Sequence, residues 1–214
     1  MIGLSIPRLT ILHRRTILGL IIILLSGSRA FGQTTGQYSV PMLDFVFGFQ
    51  ITFSFYSVAL MMIVSGLFIA NRSSLSFWML SSVIGSGIAA GVMAGALAYI
   101  PGHVPAYLFA AFVGLIVAFA PPKQRIFDSV TIFAALFFAA NAMFSGYDLK
   151  LIPLFVFAGV LLALFLGPII VSLFIFGLNK VLNYSWVKIA WRALAAWLVA
   201  ISVILISLSV TGKV

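Results

Sequence analysis

Few residues in this chain can do acid–base or metal chemistry. Its 214 residues include two histidines (His13 and His103), three aspartates (Asp44, Asp128 and Asp148), no glutamate and no cysteine. Paired-carboxylate catalysis and a histidine-centred triad therefore have almost no raw material. Thiolate metal sites, disulfides and cysteine nucleophiles are excluded outright. Hydroxyls and amides are left, and two sets of them recur at helical spacing. Gln50, Ser54, Ser57 and Met61 stand at i, i+4, i+7 and i+11, the spacing of one helix face. Asn141, Ser145 and Asp148 stand at i, i+4 and i+7, again one face. Such stripes can line a small polar cavity, or simply hydrogen-bond neighbouring helices and fix their packing. His103, in a Pro-Gly-His run, reads as a turn residue rather than a ligand.

The elements that carry these stripes are set by an extreme composition: 64% hydrophobic and 7% charged. A soluble globular domain is roughly 45–50% apolar and about 25% charged. No fold could hide this much apolar surface from water. A soluble enzyme, a disordered chain and a nucleic-acid-binding domain are excluded, and an integral membrane protein remains. The net charge of +9 comes from scattered Lys and Arg, not from a clustered phosphate-binding face. The partner this chemistry implies is the lipid bilayer, with no nucleic acid and no cofactor.

Residues 1–32 read as a secretory leader. Arg8, His13, Arg14 and Arg15 form a basic region, Thr16 to Leu25 a short apolar one, and Ala30 and Gly32 are small residues suited to cleavage after Gly32. Residues 33–214 then form one domain. A span needs about 20 apolar residues, and six are expected at 46–70, 76–100, 104–120, 127–145, 152–178 and 188–210. The breaks are Asn71-Arg72-Ser73-Ser74, Pro101-Gly102-His103, Pro121-Pro122-Lys123-Gln124-Arg125, Ser145-Gly146-Tyr147-Asp148 and the segment Asn179-Lys180 to Ser185. Proline cannot continue a helix, which makes two of these breaks firm. The expected class is an all-α, polytopic integral membrane protein, a six-transmembrane-helix bundle after a cleavable signal peptide.

Charge orients the bundle. With residues 33–45 outside, the loops at 71–75, 121–126 and 179–188 and their helix ends carry Arg72, Lys123, Arg125, Lys180, Lys188 and Arg192 inside. Lys150 and Lys213 lie outside. This asymmetry follows the positive-inside rule and agrees with the leader. It places both mature termini outside, which for a chain of a bacterial inner membrane, the expected location, is the periplasm. Both polar stripes then fall in the outer half of the membrane, where they could meet. Asp44 and Asp148 are expected at the outer surface. Asp128 is expected near the N-terminus of its helix, where a carboxylate complements the dipole, and Arg192 is expected to snorkel to the inner face. Trp186 and Trp191 suit the inner interface, with Trp197 deeper. Gly87, Gly91 and Gly95 make two overlapping GxxxG patterns, so another backbone should approach there. A helix of the same chain is one candidate partner and a second copy the other.

The layout resembles the HupE/UreJ family of hydrogenase- and urease-accessory membrane proteins. That family's first span runs roughly G-F-x-H-P-x-x-G-x-D-H-x-x-A-M-x-x-x-G-L. Gly48, Phe49, Met62, Gly66 and Leu67 match in register. The family's histidine falls on Ile51, and its Asp-His pair on Ser57 and Val58. A second motif, roughly F-H-G-x-x-H-G, falls on Phe144 to Lys150, where Phe144 and Gly146 match and both histidines are replaced. The resemblance covers about 48–210. It implies a cleaved leader, six spans, an external N-terminus and a family role in nickel or cobalt uptake. Those ions need imidazole or carboxylate ligands, and the matched motif positions supply none. The expectation is a small permease with no metal site assigned. The alternative is a non-transporting accessory subunit of a larger membrane complex, or a homo-oligomer joined at the glycine stripe. An intramembrane enzyme is disfavoured, since HExxH, paired aspartates and a Gly-x-Ser beside a base are all missing.

Overall fold

A computed structural model describes residues 41–72, 75–97, 103–119, 124–145, 147, 149–182 and 185–211. The leader expected over 1–32, Gly146 and Asp148 lie outside the described residues. Among the described residues the chain is all-helical. Seven α-helices run in order: α1 (Pro41–Ser54), α2 (Tyr56–Arg72), α3 (Phe77–Leu97), α4 (His103–Phe119), α5 (Arg125–Phe144), α6 (Leu154–Leu182) and α7 (Ser185–Val210). A short 3-10 turn, Leu149–Leu151, precedes α6.

Their ends follow local chemistry. The Gln124 carbonyl accepts from the Asp128 N–H and starts α5. At the far end of that helix, the Ser145 N–H donates to the Asn141 carbonyl. Pro153 stands before α6, and its carbonyl accepts from Phe157 at 3.0 Å.

Four helices are long and apolar enough to cross a membrane: α3, α5, α6 and α7. The chain is thus a multi-pass membrane protein. Two of the six expected spans differ from the sequence expectation. Hydropathy predicts one helix over 46–70; instead α1 and α2 are separate helices, bent by 82° at Phe55. The pair passes the span test only when taken together, which brings the candidates to five. The expected third span, α4, is an apolar helix of 17 described residues. At about 1.5 Å per residue it reaches about 25 Å, short of a hydrocarbon core of about 30 Å.

In lipid, apolar side chains gain little by meeting each other rather than acyl chains, so helices associate through close packing. Glycine makes that packing here. Gly87, Gly91 and Gly95 of α3 face α5 of the same chain. A Cβ on Gly87 would stand 2.7 Å from the Phe133 carbonyl oxygen, one on Gly95 3.1 Å from that of Asn141, and one on Gly91 would overlap that of Phe137. Both α1 and α2 lie on α6. A Cβ on Gly48 would overlap the Val156 carbonyl, and one on Gly159 the Phe45 carbonyl. Further along α6, a Cβ on Gly167 would stand 2.6 Å from Met62 Sδ, and one on Gly66 would stand 2.8 Å from the Pro168 carbonyl oxygen. α4 lies on α7, where Gly114 meets Val199.

α2 is the central helix, touching α6, α4, α5, α1 and α7. Its Val58, Met61, Met62, Val64, Leu67 and Phe68 are fully buried. At the other end of the chain, Trp191 Nε1 donates to Asn179 Oδ1 at 2.6 Å and ties the start of α7 to the end of α6. Arg192 is exposed beside it.

The glycine contacts carry a directional prediction. Gly91→Ala should destabilise the fold by about 1–3 kcal/mol through overpacking. Gly85→Ala, whose Cβ would meet nothing within 4 Å, should leave stability unchanged or raise it by up to about 1 kcal/mol. Denaturation in detergent micelles reads both. Equal losses from the two would contradict the seam.

Candidate functional site

The break between α1 and α2 puts a short polar segment where a continuous span would have none. Ser54 ends α1 and is exposed, Phe55 forms the bend, and Tyr56 opens α2 and is also exposed. The Phe55 carbonyl accepts from the Ala59 N–H at 2.9 Å, so the first turn of α2 is closed by the bend residue itself. Three residues upstream of the bend, the buried Thr52 hydroxyl donates to the Gly48 carbonyl at 2.9 Å. Such back-bonding favours a local bend.

Ser57, buried in the first turn of α2, is the centre of a cluster. Its Oγ is hydrogen-bonded to Nδ1 of His103 at 2.9 Å. The Tyr107 hydroxyl is its other polar neighbour. His103 and Tyr107 stand at i and i+4 on α4, so one helix face presents both to Ser57. Phe55 closes the cluster from the bend side, its ring stacked on the His103 imidazole at 6.2 Å between centroids and 6° between planes. His103 is half-buried, while Ser57 and Tyr107 are almost wholly buried. The cluster thus runs from a buried phenol through a buried hydroxyl to an imidazole at the edge.

The sequence-predicted residues fall out as follows. Gln50 is half-buried on α1, on the far side of the bend from Ser57. The 82° turn means that Gln50, Ser54, Ser57 and Met61 do not share one continuous helix face. Ser57 is joined instead to α4. Asn141 and Ser145 lie at the end of α5, where the backbone bond between them closes the helix. Asn141 is half-buried, and its Oδ1 has no hydrogen-bond partner among the described residues. Asp148 lies outside the described residues. Asp128 is buried in the first turn of α5, at the opposite end of that helix from Asn141.

The reading of His103 as a turn residue is corrected. It is the first residue of α4 and is bonded to Ser57. Sequence reasoning also passed over Tyr107. The signal that could have found both is their i, i+4 spacing just after the Pro-Gly pair in the sequence.

A groove of about 670 Å³ lies between α3 and α6, lined by Gly85, Ile88, Val92, Phe157, Leu161 and Phe165 among others. Its wall is hydrocarbon and offers no polar chemistry. Among the described residues no group of three or more His, Cys, Asp and Glu side chains could hold a metal ion. Comparison of the chain with protein-family models, with curated proteins and with solved structures finds no match.

The Ser57–His103 bond should register as a coupling energy. In a double-mutant cycle of Ser57→Ala and His103→Phe, which keeps a ring against Phe55, unfolding measurements should give a coupling of about 0.5–1.5 kcal/mol. A coupling of zero would show that the two side chains do not support each other.

Proposed function

We propose that the chain is a small permease of the HupE/UreJ type whose solute meets the protein at the break in its first span. On this reading the leader is cleaved, α1 and α2 together make one of six spans, and both mature termini face the periplasm of a bacterial inner membrane. The single observation that carries the proposal is the broken helix with the Ser57–His103–Tyr107 cluster at its elbow. An unbroken span hides all of its backbone hydrogen bonds, and a bilayer tolerates interruption only where protein or a cavity satisfies the freed groups. Membrane transporters place solute sites at such discontinuities for that reason. Polar and ionisable groups at membrane depth are costly and mark pathways by default. Among the described residues the cluster holds no acidic side chain, which disfavours a divalent metal as the cargo, since such ions need carboxylate or several imidazole ligands.

A second reading, a non-transporting subunit of a larger complex, draws support from the apolar α3–α6 groove and from Gly85, which opens onto it. Vesicle assays separate the two. Protein reconstituted into liposomes should admit at least one of acetate, urea, glycerol or radioactive nickel(II) faster than protein-free liposomes. Ser57→Ala or His103→Ala should slow that flux about two- to thirteenfold, the factor equivalent to one lost hydrogen bond of about 0.5–1.5 kcal/mol. Flux equal to that of empty liposomes for all four solutes would contradict transport and leave the subunit reading.

A further inference from the structure

α6 and α7 are both long and apolar enough to cross a membrane, so the turn that joins them lies at a membrane surface. The charges at this hairpin run against the helix dipole. A helix N-terminus carries partial positive charge and favours acidic side chains. The first turn of α7 has no acidic residue and ends instead on Lys188. One turn further on, Arg192 repeats the positive charge at i+4, on the same helix face. Lys180 adds a third cation in the last turn of α6. All three are exposed. Neither helix carries an acidic residue anywhere in its length. Among the described residues none of the three cations is held in an ion pair.

The hairpin is tied. The bond from Trp191 Nε1 to Asn179 Oδ1 joins the residue before Arg192 to the residue before Lys180. It therefore sets these two cations on either side of one tether, with Lys188 a turn away. Beyond the tether the helices take different partners, α6 lying on α1 and α2, and α7 on α4. Gly177, one turn before Lys180, borders open space, with nothing within 4 Å of where a Cβ would stand. Phe176 and Val181 on α6, and Trp186 and Ile189 on α7, are exposed at the same end of the two helices. The patch is thus cationic at the membrane surface and apolar below it. A ligand that suits both parts carries an anion on hydrocarbon. Free phosphate makes no use of the apolar part.

We propose that the α6–α7 hairpin binds an anionic phospholipid, with the headgroup phosphate among Lys180, Lys188 and Arg192 and an acyl chain along α6 past Gly177. Arginine offers phosphate a two-pronged set of donors. The long stems of all three side chains lie along apolar surface while their charges reach the headgroup level. The site stands on the hairpin alone and does not depend on whether the chain carries a solute.

Quenching of tryptophan fluorescence by brominated lipids tests the proposal on the full chain. Trp186, Trp191 and Trp197 all lie on α7, and Trp78→Phe removes the fourth tryptophan. In phosphatidylcholine vesicles, brominated phosphatidylglycerol should quench more strongly than brominated phosphatidylcholine at the same mole fraction. The ratio of the two reads the preference. Lys188→Gln and Arg192→Gln should each lower it about fivefold, the factor equivalent to about 1 kcal/mol per basic residue near an anionic surface. Quenching by brominated phosphatidylcholine should stay at the parent level in both and so show the chain intact. Asn179→Ala, which keeps every cation but releases Trp191, should lower the preference too. Lys213→Gln, past the far end of α7, should leave it unchanged. Equal quenching by the two lipids would overturn the proposal. So would a loss in Lys213→Gln as large as that in Arg192→Gln, or a preference untouched in Asn179→Ala, since either would mean that net charge alone attracts the lipid. Abolition of the preference by inorganic phosphate would mark a free-anion site and overturn it as well.

Discussion

Two helices of one interrupted span lie on a single partner, and the rest of the site depends on that contact. α1 meets α6 where Gly48 and Gly159 let backbones touch. α2 meets the same helix where Gly66 lies on Pro168 and Val171, and Gly167 lies on Met62. In a bilayer the apolar surface of a helix gains almost nothing by leaving lipid, so this close approach supplies the dispersion contacts that hold the pair. With both legs anchored, the bend at Phe55 is fixed from either side. A bend without such anchors would leave backbone groups facing hydrocarbon.

The fixed bend has chemical consequences. It brings Ser57 into the first turn of a helix whose next neighbour is α4, and α4 presents His103 and Tyr107 one turn apart. The same bend aims Phe55 at the imidazole. A continuous span would give Ser57 the neighbours of a mid-helix residue and would carry Phe55 away from His103. The polar cluster is therefore a product of backbone packing, and the Ser57 hydroxyl is bonded to the His103 imidazole rather than to a helix carbonyl. Elsewhere the hydroxyls of Thr52, Ser82, Thr131 and Ser202 do bond back to their own helices.

Sequence reading found the long spans because their signals are local. α3, α5, α6 and α7 are unbroken apolar runs bounded by prolines, polar turns or a Trp-rich interface. The glycine stripe on α3 was legible as a close approach, since three glycines at four-residue spacing clear one helix face of side chains. Its partner was not, because Gly87, Gly91 and Gly95 say that a backbone comes near and not whose. The break was hidden for a different reason. Phe53-Ser54-Phe55-Tyr56-Ser57 holds neither proline nor glycine, and the bend is set by contacts of Gly48 and Gly66 with a helix a hundred residues away. Once the first span is read as straight, its polar stripe points to the wrong partner, and the pairing of Ser57 with His103 is lost with it.

The central claim is the elbow itself, and a distance across it tests the claim most directly. The chain has no cysteine, so Leu43→Cys with Ala70→Cys accepts two spin labels without background. A straight helix would hold these positions about 41 Å apart, whereas legs meeting at the observed 82° bend bring them to about 31 Å. Electron-resonance distance measurements in nanodiscs should give a population centred near the shorter value. A single population at the longer one would show a continuous first span, and the site built on its break would go with it.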